Sequence, residues 1–207
     1  MHLFNYAGSA NGYKVELLLA LLGKPYERTE VSIFAGTHRT PEFLQRSPGG
    51  GVPLLHCDDG SWLPESNAIL VHVARGSAYW PTSPAAQDRV LAWLMYEQSD
   101  VEPVIGSARF WKLTGRAAER ADEFERRMSW ACTTLATLDR ELATRPFLVG
   151  EQPTVADLAV YGYAHLAGDL GLVLGANVER WCRRIEALPG YIAGPGPYDP
   201  LAIVKAG

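Results

Sequence analysis

Cysteine is scarce in this sequence: three in 207 residues, Cys57, Cys132 and Cys182, far apart and without a C-x-x-C pair. That pattern carries neither a disulfide framework nor a cysteine zinc site. Each thiol reads as a small buried hydrophobe rather than a nucleophile. Long apolar runs are also missing, since Leu17 to Leu22 is cut off by Gly23, Lys24 and Pro25, well short of the roughly 18 residues of a membrane span. The opening Met1-His2-Leu3-Phe4-Asn5-Tyr6 lacks the basic region and long apolar core of a secretory signal, so a cytoplasmic location is expected. There is no basic run, and 19 basic against 23 acidic residues leave a net charge of −4. Neither nucleic acid nor an anionic membrane is therefore an expected partner. No internal repeat or low-complexity tract is present. With 47% hydrophobic and 20% charged residues, the chain has ample material for a packed core, which argues against disorder.

What is present has a clear order. Leu3 to Tyr6 reads as a short strand and Ala7-Gly8-Ser9 as a turn. Val15, Leu18, Leu19 and Leu22 then recur at helical spacing, giving an amphipathic helix that Gly23 ends and Pro25 seals. Tyr26 to Ile33, with β-branched Thr29, Val31 and Ile33, is a second strand. Strand, helix and strand within about 33 residues make a βαβ unit, whose strands run parallel. Thr40-Pro41 starts a helix by cap and first-turn proline. Leu54-Leu55-His56, Asp58-Asp59-Gly60 and Ser61-Trp62-Leu63 read as a hairpin, and Glu65-Ser66 opens the helix that runs to Ala74.

Gly76 to Pro84 changes the composition and marks a linker, giving units 1–76 and 85–207. Beyond it strand signals vanish. Helical spacing covers Gln87 to Val104, Arg116 to Leu142, Thr154 to Leu166 and Asn177 to Leu188. Thr154 and Asp157 form a capping box. The Gly- and Pro-rich end, with Leu201-Ala202-Ile203-Val204, is expected to pack back on the body. The fold class is α/β followed by all-α.

Three short junctions border apolar runs where an α/β layer exposes backbone donors: Ser9-Ala10-Asn11, Val52-Pro53 and Glu65-Ser66. Taken singly, Ser9, Asn11 and Ser66 are helix caps, and Pro53 is a trans proline at a strand start. Ser9 to Val15, Leu21 to Glu27, Arg39 to Phe43, Val52 to Leu55, Glu65 to Ile69 and Thr154 to Ala159 nevertheless occur together in order and spacing. Together they resemble the glutathione transferases, specifically the bacterial type with a serine at the end of the first strand.

The resemblance covers nearly the whole chain and implies a thioredoxin-like first domain followed by an all-helical one. It also implies a homodimer with a role in detoxification, glutathione as co-substrate, and no metal or other cofactor. Ser9, with Asn11, would donate to the thiol. Favouring its thiolate matters because a free thiol of pKa about 8.5 is mostly protonated at neutral pH. Tyr6 is the rival thiol partner, although it also reads as a core aromatic. Val52 and a cis Pro53 would hold the cysteinyl backbone as an added strand does. Glu65 and Ser66 would take the γ-glutamyl end, and His38 the glycine carboxylate. Tyr13, Arg109, Phe110 and Trp111 would line the pocket of a small hydrophobic electrophile, though aromatic residues at helical spacing also fit a core.

No cysteine lies between Tyr6 and Lys14, which argues against a mixed-disulfide mechanism. A glutathione-dependent disulfide or peroxide reductase, or a non-catalytic binding protein of the same fold, are the alternatives. Ser47-Pro48-Gly49-Gly50-Gly51 departs from the Asn-Pro-x-Gly-x usual before Val-Pro, which puts glutathione affinity in question.

Overall fold

The computed structural model describes residues 1–204; positions 205–207 of the expected second unit lie outside the described residues. Four strands form one sheet in the order β2-β1-β3-β4. Strand β1 (His2–Asn5) runs parallel to β2 (Glu27–Glu30) and antiparallel to β3 (Leu54–His56), which pairs antiparallel with β4 (Trp62–Pro64). The second strand is shorter than the Tyr26–Ile33 run because it pairs with only the four residues of β1. Its charged residues Glu27, Arg28 and Glu30 sit on a sheet edge, where charge discourages further pairing.

Alternation along the strands divides the core. Leu3 and Leu55 face the main cluster with α1 (Ala10–Leu21) and α3 (Ser66–Ala74). Phe4 and Leu54 face a smaller one with Val31 and Phe43, the latter from α2 (Pro41–Arg46). One helical layer thus lies on each face, as in thioredoxin-like folds.

The second domain begins with α4 (Pro84–Tyr96), which continues through a π-helical stretch, Glu97–Gly106, into α5 (Ser107–Leu113). Pro103, inside the π stretch, has no N–H for the ladder, and wide turns of this kind accommodate such a gap. Helices α6 (Ala121–Glu141), α7 (Val155–Ala164) and α8 (Ala176–Glu186) complete it. Helix α7 is buried along its whole length. Helix α1 packs against both α3 and α7, so the amphipathic pattern read from its leucines is superseded. Tyr13 and Lys14 are also buried, because the second domain covers them.

The capping box is present and extended. Asp157 accepts from the backbone N–H (2.8 Å) and hydroxyl (3.1 Å) of Thr154, and also from Leu148 N–H (2.8 Å) and Trp181 Nε1–H (3.0 Å). Residues after α8 run back across both domains. Gly196 N–H donates to Ala7 O (2.9 Å) and Val204 N–H to Thr114 O (3.0 Å). Ala202 is buried while Leu201, Ile203 and Val204 are exposed, so backbone bonds rather than those apolar side chains hold the segment down.

Candidate functional site

The β1–α1 turn, the Thr37–Arg39 3-10 turn and the glycine loop face the π-helix, α5 and the returning C-terminal segment across a cleft of about 400 Å³, adequate for a small ligand. Ser9, Asn11, His38, Val52, Arg109, Phe110 and Trp111 all line it.

Ser9 is the N-cap of α1, its Oγ accepting from Gly12 N–H at 3.1 Å. A hydroxyl keeps its own proton while accepting, so capping and donation to a ligand are compatible. The cap also aims the positive end of the α1 dipole at the cleft. Gly12 is required here, since a Cβ would lie 1.7 Å from Asn5 Oδ1. Tyr6 also lines the cleft although it is 3% exposed. Its oxygen accepts from Asp199 N–H, its ring stacks with Tyr198, and burial raises its pKa, so the phenol stays protonated.

The Val52-Pro53 bond is cis, with Pro53 buried beneath Val52. Beside it, Arg39 Nη1 donates to Gly49 O (3.3 Å), and Gly50 has φ 63° with its Cβ position only 3.0 Å from His38 O. The middle glycine, which the usual pattern shares, therefore has a steric reason, whereas a Cβ at Gly49 or Gly51 would meet nothing within 4 Å. His38 carries an enclosed Nδ1 with no partner among the described residues. Burial, then the Arg39 charge, lowers its pKa, so it stands as a neutral imidazole with a single N–H. Arg39, which also lines the cleft, is the permanent cation at this end.

At the third junction the structure corrects the reading. Ser66 is the first residue inside α3, and the N-cap is Glu65, in a left-handed conformation (φ 70°, ψ 110°) that costs a non-glycine residue about 1–3 kcal/mol. Ser66 is buried, and its hydroxyl donates to Asn11 Oδ1 at 2.9 Å. That proton is committed within the protein, leaving the Ser66 backbone N–H and the Asn11 amide as donors. Glu65 is exposed, and neither Glu65 nor Ser66 is on the cleft wall; the Asn11 bond connects them to it.

On the far side, Phe110 stacks on Phe34 (6.1 Å between centroids) and meets Tyr198 edge-on (5.5 Å). Arg127 lies 4.7 Å over the Trp111 ring. Arg109 is buried, with Nε on Asp169 (2.6 Å) and Nη1 on the Tyr198 hydroxyl (3.1 Å). Its charge is thus taken, and it orients Tyr198. Tyr13 is not on this wall. It is 2% exposed, its hydroxyl donates to Ile192 O (2.8 Å), and its ring packs at the domain junction.

Cleft residues that escaped the sequence reading include Arg39, Glu102, Tyr163 and Tyr198. Tyr198 lies in Pro197-Tyr198-Asp199-Pro200, where flanking prolines signal an ordered turn, but nothing local says where that turn docks.

These features define a class: a two-domain protein, thioredoxin-like and then helical, with a ligand cleft at the domain junction. The chain belongs to the glutathione S-transferase family, whose N-terminal domain pattern matches residues 8–75 and C-terminal domain pattern residues 133–184. It is 36% identical, over 154 residues, to elongation factor 1-gamma of Equus caballus, a match covering 68% of this chain but only 34% of that protein's length. A maleylacetoacetate isomerase of Rhizobium meliloti (strain 1021) is 30% identical, with 92% of this chain and 87% of that one covered. A glutathione S-transferase structure from Pseudomonas fluorescens [Pf-5] superposes with TM-score 0.90 at 36% identity, covering 93% of this chain and 97% of that one. Ure2p in complex with glutathione has TM-score 0.80 and 25% identity, covering 91% of this chain and 90% of that one.

Proposed function

We propose that the chain binds glutathione in this cleft and transfers its thiolate to a small electrophile, residues 1–76 holding the peptide and 85–207 supplying the second-substrate wall. The observation that carries the reading is Ser9: a helix-capping hydroxyl with a free proton at the mouth of α1, facing an aromatic wall built by the other domain. Ser9 is the thiol donor and Asn11 supports it. Val52 offers backbone to the cysteinyl unit, Arg39 and His38 take the glycine carboxylate, and the α3 N-terminus behind Glu65 and Ser66 takes the γ-glutamyl end. The enzyme supplies orientation and thiolate stabilisation.

The test compares glutathione conjugation to an aromatic halide with reduction of a model disulfide, alongside retention on immobilised glutathione. Conjugation without disulfide reduction is expected; retention with neither activity would mean a binding protein. The kinship with a maleylacetoacetate isomerase favours a second reading, isomerisation. It is distinguished by glutathione remaining undiminished during turnover.

The working unit is a homodimer. Leu91 and Met95 of α4 are exposed, 40% and 64%, and line a groove with Leu63 and the α3 residues Ala68 and Val71. An apolar groove of this kind suits a second copy. Met95→Glu is expected to move the sedimentation equilibrium toward monomer; an unchanged mass would place the contact elsewhere.

A further inference from the structure

Glu102 sits on the cleft wall, half-buried on the π-helix, next to Tyr163 and the bare Gly106. Gly106 has no room for a side chain: a Cβ there would lie 2.7 Å from the Tyr163 ring and 3.5 Å from Glu102 Oε1. The π-helix repeats at i→i+5, which stacks Glu102 above Glu97. Yet Glu102 has no hydrogen bond or ion pair among the described residues, while every cation near it is engaged elsewhere. Lys14 of α1 is on Glu97, 3.0 Å away and fully buried with it. Arg127 of α6 is on Glu123 and on the carbonyl of Pro103. Arg109 of α5 is on Asp169 and Tyr198. From α7 the facing group is the Tyr163 phenol, which burial keeps protonated.

A carboxyl placed in such a wall, with a like charge one turn back and no hydrogen bond from a neighbour among the described residues, is shifted toward its protonated form. Burial first, and Glu97 second, raise its pKa, against weaker opposing pulls from Lys14 and Arg127.

Resting on the transferase reading above, we infer that Glu102 is the specificity-determining residue of the second-substrate site, an unpartnered carboxyl on the cleft wall that in its acid form donates to an oxygen of the electrophile. It thereby selects conjugated carbonyl compounds over alkyl halides. In the step it serves, the thiolate sulfur bonds to the β-carbon of the unsaturated ketone and the C=C pair shifts onto the carbonyl oxygen. That oxygen takes the Glu102 proton. The enol then tautomerises and the carboxylate regains a proton from solvent, so nothing is oxidised or expelled. A halide displacement puts no charge on such an oxygen and gains nothing from Glu102.

The experiment uses the intact chain with Glu102→Gln and Glu102→Ala, two electrophiles and two stable conjugates. With 4-phenyl-3-buten-2-one, Glu102→Ala is expected to lower kcat/KM about tenfold or more, and benzyl chloride turnover by less than about twofold. In the parent, the ketone rate should fall as pH rises through the Glu102 titration; in Glu102→Gln, which donates at every pH but delivers no proton, that limb should vanish. Calorimetry needs no turnover. The parent should prefer S-(3-oxobutyl)glutathione to S-butylglutathione, and this preference should persist in Glu102→Gln and disappear in Glu102→Ala. Equal slowing of both electrophiles, or an unchanged oxo preference in the Ala variant, overturns the role of Glu102 while leaving the transferase reading intact. A parent that binds neither conjugate overturns both.

Discussion

Replacing Asp157 by alanine separates a helix cap from a structural hub. As a cap alone the residue would be worth about 0.5–2 kcal/mol. The carboxylate is, however, fully buried and holds four donors from three parts of the second domain: two on Thr154, the Leu148 backbone and the Trp181 indole. Alanine leaves those donors without a partner where water cannot reach, at about 1–3 kcal/mol for each one orphaned. Removing the desolvated carboxyl offsets part of that, so the expected loss is about 3–5 kcal/mol, at the upper end of what a single substitution costs. Asp157→Asn keeps the volume but turns an NH₂ toward existing donors, so it should recover less than half of the loss. Urea unfolding followed by tryptophan fluorescence measures both variants, and glutathione affinity should be unchanged wherever the chain is folded. A loss below about 1 kcal/mol for Asp157→Ala would refute the hub argument and reduce the residue to its cap.

For Ser9→Ala, the bound thiol should titrate about one to two units higher, the equivalent of one charge-assisted hydrogen bond, with little change in glutathione Kd; if Tyr6→Phe moves that titration instead, the donor is Tyr6. Ser66→Ala frees the Asn11 amide to rotate and should weaken glutathione binding about tenfold by calorimetry, and an unchanged Kd would disconnect that helix end from the ligand. Lys14→Met strands Glu97 in the domain junction, although Asn67 and Gln98 still donate to it. It should cost about 3–5 kcal/mol in a melt, most of it regained in Lys14→Met with Glu97→Leu; a double variant no better than the single would show that the pair is not an isolated unit.

The local grammar of the chain carried a good deal. Helical spacing of leucines, Thr40-Pro41, the Asp-Gly hairpin and Thr154 with Asp157 each act over a few residues, where propensity and capping decide the outcome, and each element formed. The β-α-β-α-β-β-α order followed from that grammar, and resemblance identified it as thioredoxin-like and tied the three junctions to one ligand. Interactions between parts far apart in sequence required the tertiary structure. Nothing local pairs Lys14 with Glu97, 83 residues later; Tyr13 reads as a pocket residue until the Ile192 carbonyl claims it, and the Ser66 hydroxyl reads as free until Asn11, 55 residues earlier, accepts its proton. Tyr198 reaches the cleft only because backbone bonds to the first domain bring the C-terminal segment home. Nor does the spacing of Glu97 to Gly106 announce a π-helix. Such a turn is stable only when neighbours hold it, and it is this turn that sets Glu97 against Lys14 and leaves Glu102 facing the cleft.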